Sequence, residues 1–329
     1  MESTRFKQLK TQRGFTYSYF WSASSTSDKP VILFSHGFPS GSSMWRKQVP
    51  FFERLGYGLL VPDHLGYGNT DKPTDPNIYT GSGFAQDIVD ILDTEGVKHV
   101  VAVDHDWGAL PVSRLINYYP QRVSACVFLG GGYMASYAEG SHFLAHSAMT
   151  IEKFGYDAYA YMRFFVRPDA AEIIEKNIDA FIGLTHPKTK QLLEDHLCVE
   201  GGARAYIESN TVTELPAYMS QEDTEHLRTA LLSGGMSAPL CWYKAMAEQV
   251  YAKDDAKISG AAAYIHQPLL FVAFPDDLLA VPSMGDAVHA KYAKGPVTRK
   301  ELIGAAHCGA ESHPDELNDI LLEWLRSLE

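Results

Sequence analysis

Short, almost unbroken apolar runs recur through the first part of the chain: Val31–Ser35 (VILFS), Gly58–Val61 (GLLV), Val100–Val103 (VVAV) and Ala125–Leu129 (ACVFL). They lack the in–out alternation of a half-exposed sheet and predict strands buried on both faces, as in a parallel sheet. Between them the spacing turns helical. Phe84, Ile88, Ile91 and Leu92 follow i, i+4, i+7, i+8, and Gly96 is placed to end that helix. Such alternation predicts an open α/β sheet with right-handed crossovers.

From about Tyr133 to Met246 the strand-like runs stop, and the chain becomes helical, aromatic-rich and irregular. The earlier pattern returns at Pro268–Ala273 (PLLFVA) and Val297–Ile303. A final amphipathic helix carries Leu317, Ile320, Leu321, Trp324 and Leu325, with Pro314 suited to its first turn. A helical insert therefore interrupts one α/β domain, because the sheet needs strands from both sides of it. The expected division is 1–135 for the first part of the core, 136–246 for a helical cap and 247–329 for the rest of the core.

Composition narrows this little. The chain has 329 residues, 46% hydrophobic and 21% charged, which is ample for a large buried core. A net charge of −12 argues against a nucleic-acid or anionic-membrane partner, since both need clustered Lys and Arg. Cys126, Cys198, Cys241 and Cys308 lie far apart with no metal-finger spacing, and read as free thiols in a reducing compartment. Met1 to Gln12 has no apolar leader, and no stretch is long and apolar enough to span a bilayer. The expectation is a cytoplasmic protein, monomer or homodimer.

The chemistry begins where Lys98–Val103 runs into Asp104-His105-Asp106-Trp107-Gly108 and then into a helical pattern over 109–118. Strand, sharp turn and helix make the arrangement of a nucleophile elbow, with the middle residue lifted over a helix N-terminus. A Ser there would imply acyl transfer, but no GxSxG occurs. Asp106 is ionised at neutral pH without a base and can displace a leaving group from an sp³ carbon, giving an ester of the enzyme itself. Alone, the same residue reads equally well as a helix cap.

Upstream, a predicted strand ends in His36-Gly37-Phe38-Pro39. Loops at the carboxyl ends of strands line sites in open sheets. The Phe38 and Trp107 N–H groups can there form an oxyanion hole. HGFP, then Pro62–Pro73 (PDHLGYGNTDKP), then HDWG, then a late Asp and His, resemble the α/β-hydrolase superfamily, specifically its soluble epoxide hydrolase branch. The likeness covers almost the whole chain. It implies an α/β-hydrolase fold with an inserted helical cap and a cis Phe38–Pro39 bond.

The resemblance also implies a catalytic triad. Of two neighbouring acids, Asp276 and Asp277, the family spacing of five residues before Pro282 selects Asp277. The base is His307, in Gly304-Ala305-Ala306-His307-Cys308. Epoxide opening expels an alkoxide and so needs a pre-positioned proton donor. Relatives use two cap tyrosines, which carry over to Tyr161, with Tyr156 and Tyr159 as rivals, and to Tyr243 in Cys241-Trp242-Tyr243-Lys244. Phe38, Trp107, Tyr161 and Tyr243 would border a small apolar epoxide, with water as co-substrate and no metal or organic cofactor. Haloalkane dehalogenase shares Asp-Trp-Gly, but would place Asn or a similar donor where Phe38 stands. A ligand-binding receptor on the same fold would lack turnover. Asp104 stands where a small residue is usual, and reads as a hydrogen-bonded structural group rather than a carboxylate tuning Asp106. His64, Leu65 and Ala306 also depart from the family pattern.

Overall fold

The computed structural model describes residues 5–26, 29–137 and 143–328. Eight strands form one sheet in the order β1-β2-β4-β3-β5-β6-β7-β8. They are β1 (Phe6–Lys10), β2 (Thr16–Ser22), β3 (Val31–Ser35), β4 (Gly58–Pro62), β5 (Val100–His105), β6 (Val123–Leu129), β7 (Leu269–Ala273) and β8 (Val297–Glu301). From β4 to β8 all neighbours are parallel, while β1 with β2 and β2 with β4 are antiparallel. The sheet is thus the expected one, extended at one edge by an N-terminal hairpin.

The apolar runs form strands because both faces of the sheet are covered. One face packs Leu33, Leu60, Ala102 and Phe128 under α2 (Gly81–Thr94) and α3 (Ala109–Tyr118). The other packs Ile32, Phe34, Val61 and Val103 against α1 (Gln48–Arg54) and the closing helix Pro314–Ser327. Thr80 caps α2 through a bond to Gly83 N–H, and Gly96 follows its end with φ +69°.

Between β6 and β7 lies a helical insert, from Phe143–Phe154 to Val250–Asp255. Two ties fasten its far end. Arg114 of α3, fully buried, takes both oxygens of Asp255 at 2.6 and 2.5 Å. Asp254 accepts from the Ser82 N–H and hydroxyl at 2.7 and 2.6 Å, at the start of α2. The four cysteines are free thiols. Among the described residues no helix is long and apolar enough to cross a membrane.

Candidate active site

β5 ends at His105, in the middle of the sheet, and Asp106–Gly108 make a single 3₁₀ turn before α3 begins. Asp106 adopts φ +55°, a conformation that non-glycine residues rarely hold and that elbows use to raise a side chain. The turn is closed by two glycines. A Cβ on Gly108 would stand 2.3 Å from the Ser35 carbonyl oxygen, and one on Gly37 would stand 2.4 Å from Asp106 Oδ1. Glycine at both positions is what lets β5 and the loop after β3 approach this closely.

That approach defines the surroundings of Asp106. The Phe38 N–H donates to Oδ1 at 2.7 Å, and the Trp107 N–H, next in the chain, adds a weaker pull on the carboxylate. Phe38–Pro39 is cis, as the resemblance implies. On the other oxygen, His307 Nε2 lies 3.5 Å from Oδ2. His307 Nδ1 donates to Asp277 Oδ2 at 2.9 Å. The remaining oxygen of Asp277 accepts from Leu279 and Ala280 N–H at 2.8 and 3.0 Å. Asp277 is fully enclosed, whereas the side chains of Asp106 and His307 keep 17% and 15% of their surface open. The two groups with access are the two that would meet substrate and water. Asp276 instead donates its N–H to the Ala305 carbonyl and borders an outer cavity, so the family spacing picked the residue that meets His307.

Charges follow from this packing. Burial pushes the Asp106 carboxyl up, but the bond and charge of His307, the charge of His105 and the Trp107 N–H outweigh it and leave the group below its ordinary value. Asp277 is likewise lowered, burial being overcome by His307 and two backbone N–H groups. Burial lowers His307, yet the Asp277 and Asp106 carboxylates together raise it well above its ordinary value. The site therefore rests as two carboxylates holding an imidazolium between them.

Helices of the insert bring aromatic rings over these three residues. Tyr243 lies in helix Cys241–Ala247 and is oriented by its neighbour Trp242. The Trp242 indole donates to the Leu65 carbonyl at 3.0 Å and stacks on Phe84 of α2 at 4.3 Å, fixing that helix to the core. Tyr161 leads helix Met162–Phe165, and its N–H donates to the Leu197 carbonyl at 3.0 Å. The Tyr161 and Tyr243 rings meet edge-on with centroids 6.0 Å apart, and the Trp107 ring lies 5.1 Å from that of Tyr243. Burial first, then the Asp106 charge for Tyr161 and the Tyr161 and Asp106 charges for Tyr243, raise both phenols well above their ordinary range. The rivals stand elsewhere. The Tyr156 hydroxyl donates to the Leu278 carbonyl at 3.0 Å, and Tyr159 is raised to about 12 by burial and by Asp277, not Asp106.

Several groups here escaped the sequence reading. Phe165 and Phe181 meet the Phe38 ring at 5.3 and 5.8 Å and complete an apolar wall. Their only trace in sequence was an aromatic-rich insert. His105 Nε2 donates to the His307 carbonyl at 2.7 Å and ties the elbow to the loop carrying the base. Beneath the elbow His64 and His36 are both neutral and fully bonded. The His64 N–H donates to His36 Nε2 at 2.9 Å, and His64 Nε2 meets the Ser35 hydroxyl at 2.7 Å. Ser35 passes its own hydrogen to the Gly108 carbonyl at 3.0 Å. His64 is thus a support for the elbow's backbone, a role its departure from the family pattern concealed.

Asp104 requires a correction. It is fully buried, and neither carboxylate oxygen has a hydrogen-bond partner, with only a residual pull from the Leu129 N–H. Burial, and to a lesser degree the Asp106 charge, raise it well above the carboxylate range. It is a neutral acid, not the hydrogen-bonded structural group the sequence suggested.

The pattern of the "alpha/beta hydrolase fold" family matches residues 30–177. Epoxide hydrolase 2 of Siraitia grosvenorii is 26% identical over 310 residues, covering 90% of this chain and 92% of that protein. Epoxide hydrolase A of Mycobacterium tuberculosis is 28% identical over 306 residues, with 91% of each chain covered. The crystal structure of epoxide hydrolase A from Mycobacterium thermoresistibile superposes with a TM-score of 0.81 at 23% identity, covering 98% of both chains. The sheet order, the elbow and these matches agree on an α/β-hydrolase fold. It is a hydrolase whose curated relatives are epoxide hydrolases.

Proposed function

We propose that the chain is an epoxide hydrolase that works through an ester on Asp106. The observation that carries this reading is the pair Tyr161 and Tyr243, rings 6.0 Å apart, both held protonated and both facing the charge of a carboxylate on an elbow. A halide needs no proton on leaving, whereas an alkoxide does.

Oδ1 of Asp106 is held by the Phe38 N–H, so Oδ2 is the oxygen free to attack. It forms a C–O bond to one epoxide carbon as the ring C–O bond breaks, and a tyrosine hydroxyl delivers its proton to the departing oxygen. Oδ1 then becomes the ester carbonyl oxygen, already facing the Phe38 and Trp107 N–H groups. Ester formation also removes the Asp106 charge that helps hold the His307 proton. The imidazolium proton passes through solvent to the tyrosinate, which restores the phenol and leaves a neutral imidazole in the state that needs a base, with Asp277 fixing its tautomer. Water gives a proton to His307 and attacks the Asp106 carbonyl carbon. The oxyanion is held in the same N–H pair until the vicinal diol leaves with that proton, and the second water proton passes from the Asp106 carboxyl to His307, restoring the carboxylate and the imidazolium. We take 136–246 as the cap that supplies the tyrosines. Phe38, Phe165, Phe181 and Trp107 form walls suited to an apolar aryl or alkyl epoxide. The free cysteines fit a cytoplasmic setting.

A single turnover in ¹⁸O-water, with enzyme in excess over styrene oxide, tests the ester. Unlabelled diol with the isotope in the Asp106 peptide is the expected result. Isotope passing directly into the diol would reduce Asp106 to a general base. Release of chloride from chloroalkanes with no diol from any epoxide would assign a dehalogenase instead.

A further inference from the structure

Cys308 follows His307 directly, and its sulfur lies among groups that the proposed hydrolysis does not use. His186, Cys308 and Glu311 each bring one ligand atom to within 4.8 Å of the others. His186 ends the cap helix Ile178–Thr185, whereas Cys308 and Glu311 come from the core segment after β8. Both His186 and Glu311 are buried.

Hydrogen bonds orient the cluster, with the Cys308 thiol donating to the Thr185 carbonyl at 3.6 Å. Thr185 Oγ1 donates to the Phe181 carbonyl at 3.0 Å, so it accepts from His186 Nδ1 at 3.1 Å. His186 Nδ1 thus carries the hydrogen, and Nε2 turns a bare lone pair toward Glu311 Oε2 at 3.7 Å. That gap is too long for a charge-assisted N–H···O bond, which spans about 2.7–2.9 Å. An imidazole whose outer nitrogen is anchored by an oxygen, and whose inner nitrogen faces a carboxylate and a thiol, has the arrangement of a metal ligand. Glu311 is itself oriented from behind by Arg46 at 2.5 Å, and Arg46 is shared with Asp223 of the cap at 2.6 Å. With Cys308 as thiolate, the two carboxylates and the sulfur balance Arg46 and one divalent ion.

We propose that His186, Cys308 and Glu311 bind one Zn²⁺, which joins the cap to the core and slows turnover through the neighbouring His307. One nitrogen, one sulfur and one oxygen at tetrahedral reach suit Zn²⁺ above the harder divalent ions, and leave a fourth position for water. Binding releases the Cys308 proton to solvent. A cavity of about 340 Å³, lined by His307, Cys308, Tyr218 and Lys190, opens a path for the ion from the surface. Zinc ligands lie about 2.0–2.3 Å from the ion, so the three groups must draw together on binding. That movement pulls on the residue next to His307, whose bond to Asp277 is set at 2.9 Å.

The ion measurement needs no epoxide, so it stands or falls apart from the proposed reaction. The intact, metal-free chain is titrated with Zn²⁺ against a chromophoric chelator, and with Co²⁺ for its spectrum. The expected result is one ion per chain and a thiolate-to-cobalt charge-transfer band. The band disappears in Cys308→Ser, and affinity falls about tenfold or more in His186→Gln. Both variants should keep their circular dichroism and their metal-free turnover, and Zn²⁺ should inhibit the parent but not His186→Gln. No stoichiometric ion at micromolar Zn²⁺ overturns the site. Equal binding by parent and both variants overturns it too, by placing the ion on Asp106, Asp277 and His307. One bound ion with undiminished turnover refutes the coupling to His307.

Discussion

Tyr243→Phe removes a single oxygen and keeps the ring. The edge-on contacts of that ring with Phe38, Phe165 and Trp107, at 5.0, 5.1 and 5.1 Å, are retained, so stability should change by less than about 1 kcal/mol. Alkylation loses a positioned proton donor and should slow by about 10²–10⁴-fold. Tyr161→Phe should slow alkylation within the same range. The assay is the quench of tryptophan fluorescence in a single turnover with excess enzyme, Trp107 being 5.1 Å from the Tyr243 ring. Ester hydrolysis makes no use of either hydroxyl, so its rate should stay within about threefold of the parent. Alkylation within that same margin in both single variants would falsify the assignment of the pair as proton donors. An equal loss in both chemical steps would point instead to a general disturbance of the cap.

Three further perturbations test other parts of the argument. His307→Gln leaves Asp106 able to attack but removes the base, so one equivalent of epoxide should be consumed in a burst and the chain should gain the mass of the substrate. A variant that still turns over steadily would remove His307 from the mechanism. Asp104→Asn replaces a buried acid by its neutral isostere. The folded protein holds Asp104 protonated while the unfolded chain ionises above about pH 4, so the parent bears a cost of folding that grows as pH rises from there. The melting temperature of the variant relative to the parent should therefore climb between pH 4 and pH 8, and a flat difference would mean that Asp104 is not held neutral. Arg114→Met strands the Asp255 carboxylate, which is 2% exposed, and should cost about 3–5 kcal/mol by denaturant unfolding. A loss below about 1 kcal/mol would show that the tie between α3 and the cap's end does not hold the two together.

The sign of the pH response at the triad also follows from the packing. Asp106 and Asp277 lie below their ordinary values in the fold, so their contribution to stability is present above the unfolded carboxylate range and is lost as pH falls through the lowered values. His307 lies above its ordinary value, so its contribution is complete below about pH 6.5 and is lost as pH rises through the raised value. Ester hydrolysis needs neutral His307 and should be the step that fails first in acid.

What the sequence determined by itself was the sheet and the order of its chemistry. Val31–Ser35 and Val100–Val103 are legible as strands because burial on both faces demands unbroken apolar runs, whatever surrounds them. Asp106 is legible as an elbow residue because strand, turn and helix follow one another locally. The hairpin β1–β2 was missed because its edge strand is mixed and half-exposed, so no continuous run marks it. The tertiary structure alone decided which of three nearby tyrosines meets the Asp106 charge, since Tyr156, Tyr159 and Tyr161 share one irregular stretch whose direction the packing around it sets. It alone decided that Asp104 is a lone neutral acid, because the absence of a partner is a property of everything folded around a residue. It also brought His186 beside Cys308 and Glu311, more than a hundred residues later in the chain. Local order is written in periodicity, whereas meetings between distant side chains depend on how the cap seats on the sheet.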